Sequence, residues 1–151
     1  MVDGVARKEE SLFRRSCGVR VRVAAPRAAV WALLTDAEGF PRWNSTVTRI
    51  GGTIALGQKL AIQVPISERT FTPTVTRLDP GQQMTWSDGF WPMFRGVRTF
   101  ELHEVEGGTD FAMEEVFTGL MLPMIARTLP DFGPPFEQYA KDLKRAAEEG
   151  A

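Results

Sequence analysis

The chain has 151 residues, of which 43% are hydrophobic and 25% are charged, and its formal net charge is -1. This balance is typical of a single globular domain and excludes a chain that is disordered throughout. A nearly neutral chain also lacks the basic surplus that binding to phosphates requires, so we expect no nucleic-acid partner.

The chain contains one cysteine, Cys17, and one histidine, His103. These counts exclude an internal disulfide and a two-histidine metal motif, and we expect neither a metal site nor a cofactor. The N-terminus is charged and lacks the apolar core of a secretory signal, and no apolar stretch is long enough to span a bilayer. We therefore expect a cytoplasmic protein without a transmembrane segment.

The N-terminal third is predicted to contain an arm, a strand and two short helices. Residues 1–12 are mostly polar and predict a flexible arm, followed by a single domain over residues 13–151. Valines alternate with arginines over residues 17–23, which predicts a half-buried strand. Apolar residues at helical spacing then predict one short helix after Pro26 and a second one ending near Trp43.

Strands are predicted from about residue 45 to residue 118. Alternating Thr, Val and Ile residues between turn signals indicate about six of them, and Glu106-Gly107 predicts a tight hairpin turn. Because proline cannot donate to a sheet, Pro73 is expected at an edge or a bulge. The tail predicts a Met-rich helical segment, a cluster of prolines that interrupts it, and an amphipathic helix from Phe136 onward.

This order of elements predicts an α+β fold. A curved antiparallel sheet of about seven strands is expected to wrap around the C-terminal helix, which is the only large element available to cover its apolar face. Such a curved sheet would leave a cavity between itself and the helix.

Nine short motifs occur in a characteristic order: Val23-Ala-Ala-Pro26, Val30-Trp31, Leu34-Thr-Asp36, Phe40-Pro-Arg-Trp43, Leu78-Asp-Pro80, Met84-Thr-Trp86, Phe100-Glu-Leu102, Gly107-Gly-Thr109 and Phe117-Thr-Gly119. Together they resemble the START/Bet v 1-like superfamily (SRPBCC), in particular bacterial polyketide cyclase/dehydrase-like proteins. The resemblance covers about residues 16–149. It implies a helix-grip fold with a deep apolar cavity under the C-terminal helix, and members that bind lipids, sterols or polyketides or act as cyclases, dehydratases or lyases.

The predicted hairpin turn determines which side chains share a face of the sheet. Its register places four large apolar side chains on one face, at Phe100, Leu102, Phe111 and Met113. The same face receives Arg98 and Glu115, which would be either a polar anchor in an apolar pocket or an ion pair near solvent at the end of the sheet. His103 falls on the opposite face, which disfavours a Ser/His/Asp triad.

The candidate ligand-binding residues are mostly aromatic side chains and methionines. The Phe90–Phe94 stretch would form either a rim over the cavity mouth or ordinary loop packing. As a group, these side chains favour an aromatic or lipidic ligand over a sugar or a nucleotide. The candidates are Trp43, Trp86, Trp91, Phe94, Arg98, Phe100, Met113, Glu115, Phe117, Met121, Met124, Phe132 and Phe136.

Three functions are consistent with this sequence. The first is the binding of a small hydrophobic molecule in an internal cavity. The second is a cofactor-independent cyclase, dehydratase or lyase in which Glu115 acts as an acid or base and Arg98 tunes its pKa. The third is a protein-interaction module that docks through the Phe90–Phe94 patch. The sequence leaves open whether the protein is a monomer or a homodimer.

Overall fold

A computed structural model describes residues 2–150. The strands are β1 (Arg7–Glu10), β2 (Arg14–Val23), β3 (Arg49–Gly51), β4 (Ala61–Val64), β5 (Ser67–Phe71), β6 (Thr74–Asp79), β7 (Gln83–Phe90), β8 (Phe94–Val105) and β9 (Gly108–Thr118). The helices are α1 (Arg27–Thr35), α2 (Phe40–Trp43), α3 (Leu122–Ile125) and α4 (Gly133–Glu149), with a 3₁₀ turn at Ala126–Thr128.

Six strands form one curved antiparallel sheet in the order β1-β2-β9-β8-β7-β6. The strands β3, β4 and β5 form a separate three-stranded sheet. The helix α4 packs against β2 of the large sheet and against α1 and α2. The predicted α+β helix-grip fold is therefore confirmed, with two short helices after a long early strand and with six strands, not about seven, in the main sheet.

The strand count of the main sheet differs because β3, β4 and β5 form a sheet of their own, whereas β1 joins the main sheet. Pro73 was predicted at an edge or a bulge, and it lies with Thr72 in the short break between β5 and β6. The strand β5 pairs with β4, whereas β6 pairs with β7 and forms an edge of the main sheet. Because proline has no N–H to donate to a neighbouring strand, β5 of the three-stranded sheet ends before Pro73 and β6 of the main sheet begins after it.

The N-terminal arm predicted for residues 1–12 contains a strand that the sequence analysis did not anticipate. Within it, β1 is exposed along its whole length and pairs with β2, with Lys8 opposite Cys17. The Ala6 N–H also donates to Glu137 Oε2 of α4 at 2.8 Å. An edge strand of charged residues has no apolar alternation, so periodicity could not reveal it. Residue 1 lies outside the described residues.

The tail is broken, as its prolines predicted. The helix α3 has only four residues and runs into the 3₁₀ turn, after which α4 begins at Gly133, three residues before the predicted start at Phe136. The first turn of α4 contains Pro134 and Pro135, where a missing N–H costs nothing because it would have no partner in the helix.

One face of α4 supplies much of the core. Phe136, Tyr139, Ala140 and Leu143 are all buried. Asp142 is also buried, and its carboxylate accepts hydrogen bonds from the Ser45 N–H at 2.8 Å, the Ser45 hydroxyl at 2.7 Å and Gln138 Nε2 at 2.8 Å. These bonds tie α4 to the segment that follows α2.

Candidate functional site

The β8–β9 hairpin has the predicted register. Arg98 lies opposite Glu115, and the pairs Phe100–Met113 and Leu102–Phe111 follow in the same register. All four of these apolar side chains are buried, whereas His103 is exposed on the opposite face. Gly107 has a φ of 80° in the two-residue turn, a conformation that glycine adopts without strain.

Polar and aromatic side chains form one row across the main sheet. Cys17 on β2 lies opposite Glu115, Glu115 lies opposite Arg98, and Arg98 lies opposite Trp86 on β7. Directly opposite residues on antiparallel strands point to the same face, so all four point toward α4. The guanidinium of Arg98 lies over the ring of Phe136 on that helix, 5.0 Å from its centroid.

The ion pair at the centre of this row is mostly buried. Arg98 Nε lies 3.5 Å from Glu115 Oε2, and the two side chains are 22% and 15% exposed. Glu115 Oε2 has no hydrogen-bond partner. Burial raises the pKa of Glu115 above its usual value, and the positive charge of Arg98 offsets only part of this effect. The site therefore contains a buried carboxylate oxygen that faces Arg98 in an ion pair but accepts no hydrogen bond within residues 2–150.

Four aromatic rings lead from the end of the sheet to this ion pair. Phe94 stacks on Phe117 at 5.7 Å between centroids, Phe117 stacks on Phe132 at 5.3 Å, and Phe132 meets Phe136 edge-on at 6.1 Å. We call these four residues the aromatic column. Gly96 lies opposite Phe117, and its lack of a side chain leaves room for that ring, since a Cβ there would lie only 3.1 Å from it.

The interior between the sheet and the middle of α4 is filled by side chains. Trp86 and Phe100 have centroids 4.8 Å apart, and Tyr139 lies 6.3 Å from Phe100 and 5.8 Å from Trp43. These are the separations of packed aromatic rings. Trp43 Nε1, Trp86 Nε1 and the Tyr139 hydroxyl are nevertheless buried without a hydrogen-bond partner. The deep cavity that the resemblance implied is occupied here by the protein's own side chains.

Open space adjoins the site at the start of α4. A cleft of about 180 Å³ lies between the strands β1 and β2 and the segment that precedes α4. A salt bridge of 3.1 Å joins Lys8 to Asp131, two of the residues that line this cleft. Its lining residues are Lys8, Glu10, Arg15, Ser16, Cys17, Phe117, Leu129, Pro130, Asp131 and Phe132.

Cys17 forms part of the wall of this cleft. Burial raises the pKa of its thiol to about 11, so Cys17 is a neutral thiol at physiological pH. A neutral, buried thiol is a poor nucleophile and behaves as a small apolar side chain. Cys17 therefore adds an apolar surface to the cleft wall rather than a reactive group.

The structure separates the predicted ligand-binding residues into three groups. Trp43, Trp86, Phe100 and Met113 lie in the filled interior, whereas the aromatic column ends at Phe136, which contacts Arg98 of the ion pair. Trp91 and Met124 are 62% and 76% exposed, and Met121 is half-buried. Those three residues therefore belong to an outer surface.

Sequence reasoning overlooked Tyr139 and the cleft. Tyr139 lies three residues after Phe136 on the helix, so the apolar stripe of α4 could have revealed it. The cleft depends on Lys8 and Asp131, which are 123 residues apart in the chain, and no local pattern connects them. Among residues 2–150, no cluster of His, Cys, Asp and Glu side chains could hold a metal ion, and no helix has the length and apolarity needed to cross a membrane.

The fold and the site together define a helix-grip protein whose long C-terminal helix covers the sheet. The family described as polyketide cyclase/dehydrase and lipid transport matches residues 15–149. Because the match covers most of the chain, the protein belongs to this family. No curated protein matches the sequence.

Solved structures show the same fold at low sequence identity. A protein from Mesorhizobium loti is 19% identical with a TM-score of 0.72, over 91% of this chain and 99% of that one. The di-domain ARO/CYC StfQ from the steffimycin biosynthetic pathway is 14% identical with a TM-score of 0.72, over 91% of this chain and 52% of that one. DynU16 from the dynemicin biosynthetic locus is 18% identical with a TM-score of 0.67, over 88% of this chain and 47% of that one.

Proposed function

We propose that this protein is a cytoplasmic binding protein for a small hydrophobic molecule, aromatic or lipidic, which contacts the aromatic column and turns its polar end toward Arg98 and Glu115. One observation carries the proposal. The cleft is lined by Phe117 and Phe132 of the aromatic column and by Cys17, which lies directly opposite Glu115 on the neighbouring strand. Part of the cleft wall is apolar, at Phe117, Leu129 and Phe132, and Glu115 Oε2 nearby is buried without a hydrogen-bond partner among residues 2–150. This combination suits a ligand that is apolar with one polar group.

The size of the cleft limits what can bind without rearrangement. A cavity of about 150 Å³ in a protein core holds a benzene molecule, and drug-sized ligands need roughly 300 to 1,000 Å³. At about 180 Å³, the cleft fits roughly one or two fused aromatic rings or a short apolar chain. A larger ligand must displace the rings of Phe117 and Phe132, which line the cleft.

The electrostatics of the site favour a hydroxyl or carbonyl group over a second charge. As a carboxylate, Glu115 can accept a hydrogen bond from a ligand hydroxyl through its unpartnered Oε2. The raised pKa of Glu115 also increases the fraction of protonated carboxyl, which can donate to a carbonyl. Arg98 already faces Glu115, so a fully charged ligand would have to compete with that pair.

Binding of naphthalene and of naphthol tests this proposal directly. Naphthol should bind about tenfold more tightly than naphthalene, because its hydroxyl can donate to Glu115 and a hydrogen bond to a charged group contributes roughly 1.5 to 3 kcal/mol. In Glu115→Gln the advantage of naphthol should fall to a few-fold. The matched control is Glu114→Gln on the exposed face of β9, where the advantage should persist. Equal affinities of the two compounds for the wild-type protein would contradict the proposal.

The raised pKa of Glu115 favours one second candidate, a cyclase or dehydratase in which Glu115 is a general acid. The relatedness to a di-domain ARO/CYC protein is in keeping with this alternative. Native mass spectrometry of the purified protein would identify a co-purified molecule, and that molecule would then be incubated with the protein. Conversion that is lost in Glu115→Gln while binding persists would establish the enzyme, and binding without conversion would establish the carrier.

A further inference from the structure

Seven large apolar side chains are exposed at one end of the molecule, on three loops. Their exposed fractions range from 39% to 76%. Soluble monomers seldom leave a large contiguous apolar patch uncovered unless it binds something. We call this surface the apolar end, and it consists of Leu12, Phe13, Phe90, Trp91, Met93, Leu120 and Met124.

Backbone hydrogen bonds hold the three loops together. The Gly119 N–H donates to the Phe13 carbonyl at 3.3 Å, and the N–H groups of Leu120 and Met121 donate to the carbonyls of Pro92 and Met93 at 3.0 and 2.8 Å. Gly119 has a φ of 137°, and a Cβ at this position would collide with the Met93 carbonyl. The close approach at Gly119 therefore makes one continuous surface out of three loops that are distant in sequence.

An exposed arginine directly follows each of the three loops. The stretches 11–13, 90–94 and 119–126 contain no charged residue, and each is followed at once by an arginine, Arg14, Arg95 and Arg127 respectively. All three arginines are exposed. Arg14 and Arg95 lie on either side of Thr118 in the sheet register. Among residues 2–150, Arg95 and Arg127 form no ion pair, and Arg14 has only a 4.0 Å contact to Glu9.

We propose that the apolar end docks onto an anionic lipid surface. Apolar tips with an exposed tryptophan suit the boundary between acyl chains and headgroups, and arginines directly behind them suit lipid phosphates. A second copy of the chain would bring the same arginines together, and like charges at an interface oppose association. Docking requires no bound hydrophobic ligand, so this inference is independent of the function proposed above.

Docking would place the cleft beside the bilayer. Met124 precedes the 3₁₀ turn Ala126–Thr128, and Arg127 lies within it. The Ala126 carbonyl of this turn accepts a hydrogen bond from Arg15 at 3.4 Å, and Arg15 lines the cleft. Leu129 and Phe132, a few residues further on, also line it. A hydrophobic molecule could therefore move between the bilayer and the cleft with little exposure to water.

Vesicle binding of the full-length protein tests the inference. Vesicles of phosphatidylcholine and phosphatidylglycerol in equal parts should sediment the protein, and vesicles of phosphatidylcholine alone should sediment at least about tenfold less. Trp91 is the exposed tryptophan among the four in the chain, so brominated acyl chains should quench mainly its fluorescence. High salt should weaken the binding, because it screens the arginines.

Two variants separate the apolar and the electrostatic contributions. Trp91→Ser with Met124→Ser should lose at least about tenfold in vesicle binding, and so should Arg95→Gln with Arg127→Gln. The control is Leu56→Ser with Ile66→Ser, two positions exposed by 62% and 60% in loops of the three-stranded sheet, and it should bind as the wild type does. Circular dichroism checks that each variant is folded.

Two results would overturn the inference. One is a wild-type protein that does not bind anionic vesicles, or whose binding to them is no stronger at low salt than at high salt. The other is a dimer in light scattering that Trp91→Ser with Met124→Ser dissociates while vesicle binding stays unchanged, because the apolar end would then be an interface between copies.

Discussion

The two ends of the layer between α4 and the main sheet differ in how completely they are packed. Toward the C-terminus of α4, Tyr139 stacks on Phe111 at 6.2 Å with nearly parallel planes, and Leu143 and Ala147 are buried. At the start of the helix, Phe132 lies beside an open cleft, and the neighbouring row contains a buried ion pair. One helix thus covers an apolar core at one end and a polar, partly open site at the other.

This difference shows which end stabilises the fold and which end is available for function. Buried apolar packing accounts for most of the free energy of folding, whereas a buried charge pair contributes little net stability. Substitutions at the packed end should therefore lower the free energy of unfolding strongly. Substitutions at the cleft end should lower it little but should change ligand affinity. Each of the following variants tests that comparison.

The largest effect is expected at the packed end. Phe111→Ala removes a fully buried ring that stacks on Tyr139, and we expect the free energy of unfolding to fall by about 4 kcal/mol. Urea denaturation followed by circular dichroism measures this loss. The folded fraction of the variant should still bind naphthol with unchanged affinity, and a selective loss of binding would show that the packed end belongs to the site.

A smaller loss of about 3 kcal/mol is expected for Asp142→Ala, because the Ser45 N–H and hydroxyl and the Gln138 amide would all lose their acceptor. The same denaturation experiment measures it. Asp142→Asn is the matched control, since its amide oxygen still accepts hydrogen bonds, and it should lose clearly less. Equal losses in the two variants would mean that the negative charge of Asp142, rather than the presence of a hydrogen-bond acceptor, determines the stability at this position.

At the cleft end, Phe132→Ala should cost only about 1 kcal/mol, because Phe132 is half-buried and next to open space. The variant should also bind ligands with more than two fused rings better than the wild type does, since the cleft becomes larger. Isothermal titration with naphthalene and anthracene compares the two proteins. A stability loss as large as that of Phe111→Ala would contradict the distinction between the two ends.

The smallest effect is a change in how stability depends on pH. Burial raises the pKa of Glu115 above its usual value of 4.5, so the folded protein holds this proton more tightly than the unfolded chain does. The stability that Glu115 contributes is present in acid and is lost as the pH rises through the folded pKa. The free energy of unfolding of Glu115→Gln should therefore improve relative to the wild type as the pH is raised from below 4.5 to neutral.

Urea denaturation over this pH series, with Glu114→Gln as the exposed control, measures the change. A difference between Glu115→Gln and the wild type that stays constant with pH would show that Arg98 compensates fully for the burial of the carboxylate.

The best sequence prediction was the β8–β9 hairpin. The turn at Glu106-Gly107 determines the register, so the pairing of Arg98 with Glu115 and their common face with Phe100 follow from counting residues. The strand β1 could not be found in this way, because its residues are all charged and exposed. The strand β1 is held by backbone hydrogen bonds to β2, and backbone hydrogen bonds leave no pattern in the sequence.

The location of the cleft could not be predicted from the sequence either. The resemblance implied a deep apolar cavity under the C-terminal helix, yet Tyr139 and Trp86 fill the region under the middle of α4. The cleft forms instead where Asp131 and Lys8 meet. Packing details of this kind depend on how side chains far apart in sequence fit together, and no periodic pattern encodes them.

Mapping of naphthol binding by backbone amide chemical shifts tests the central claim most directly. We expect the largest changes at residues 15–17, 115–117 and 129–132, which surround the cleft and the ion pair, and almost none at residues 143–147. Changes concentrated at the packed end, or no saturable change up to the solubility of naphthol, would contradict the assignment of the binding site to the start of α4.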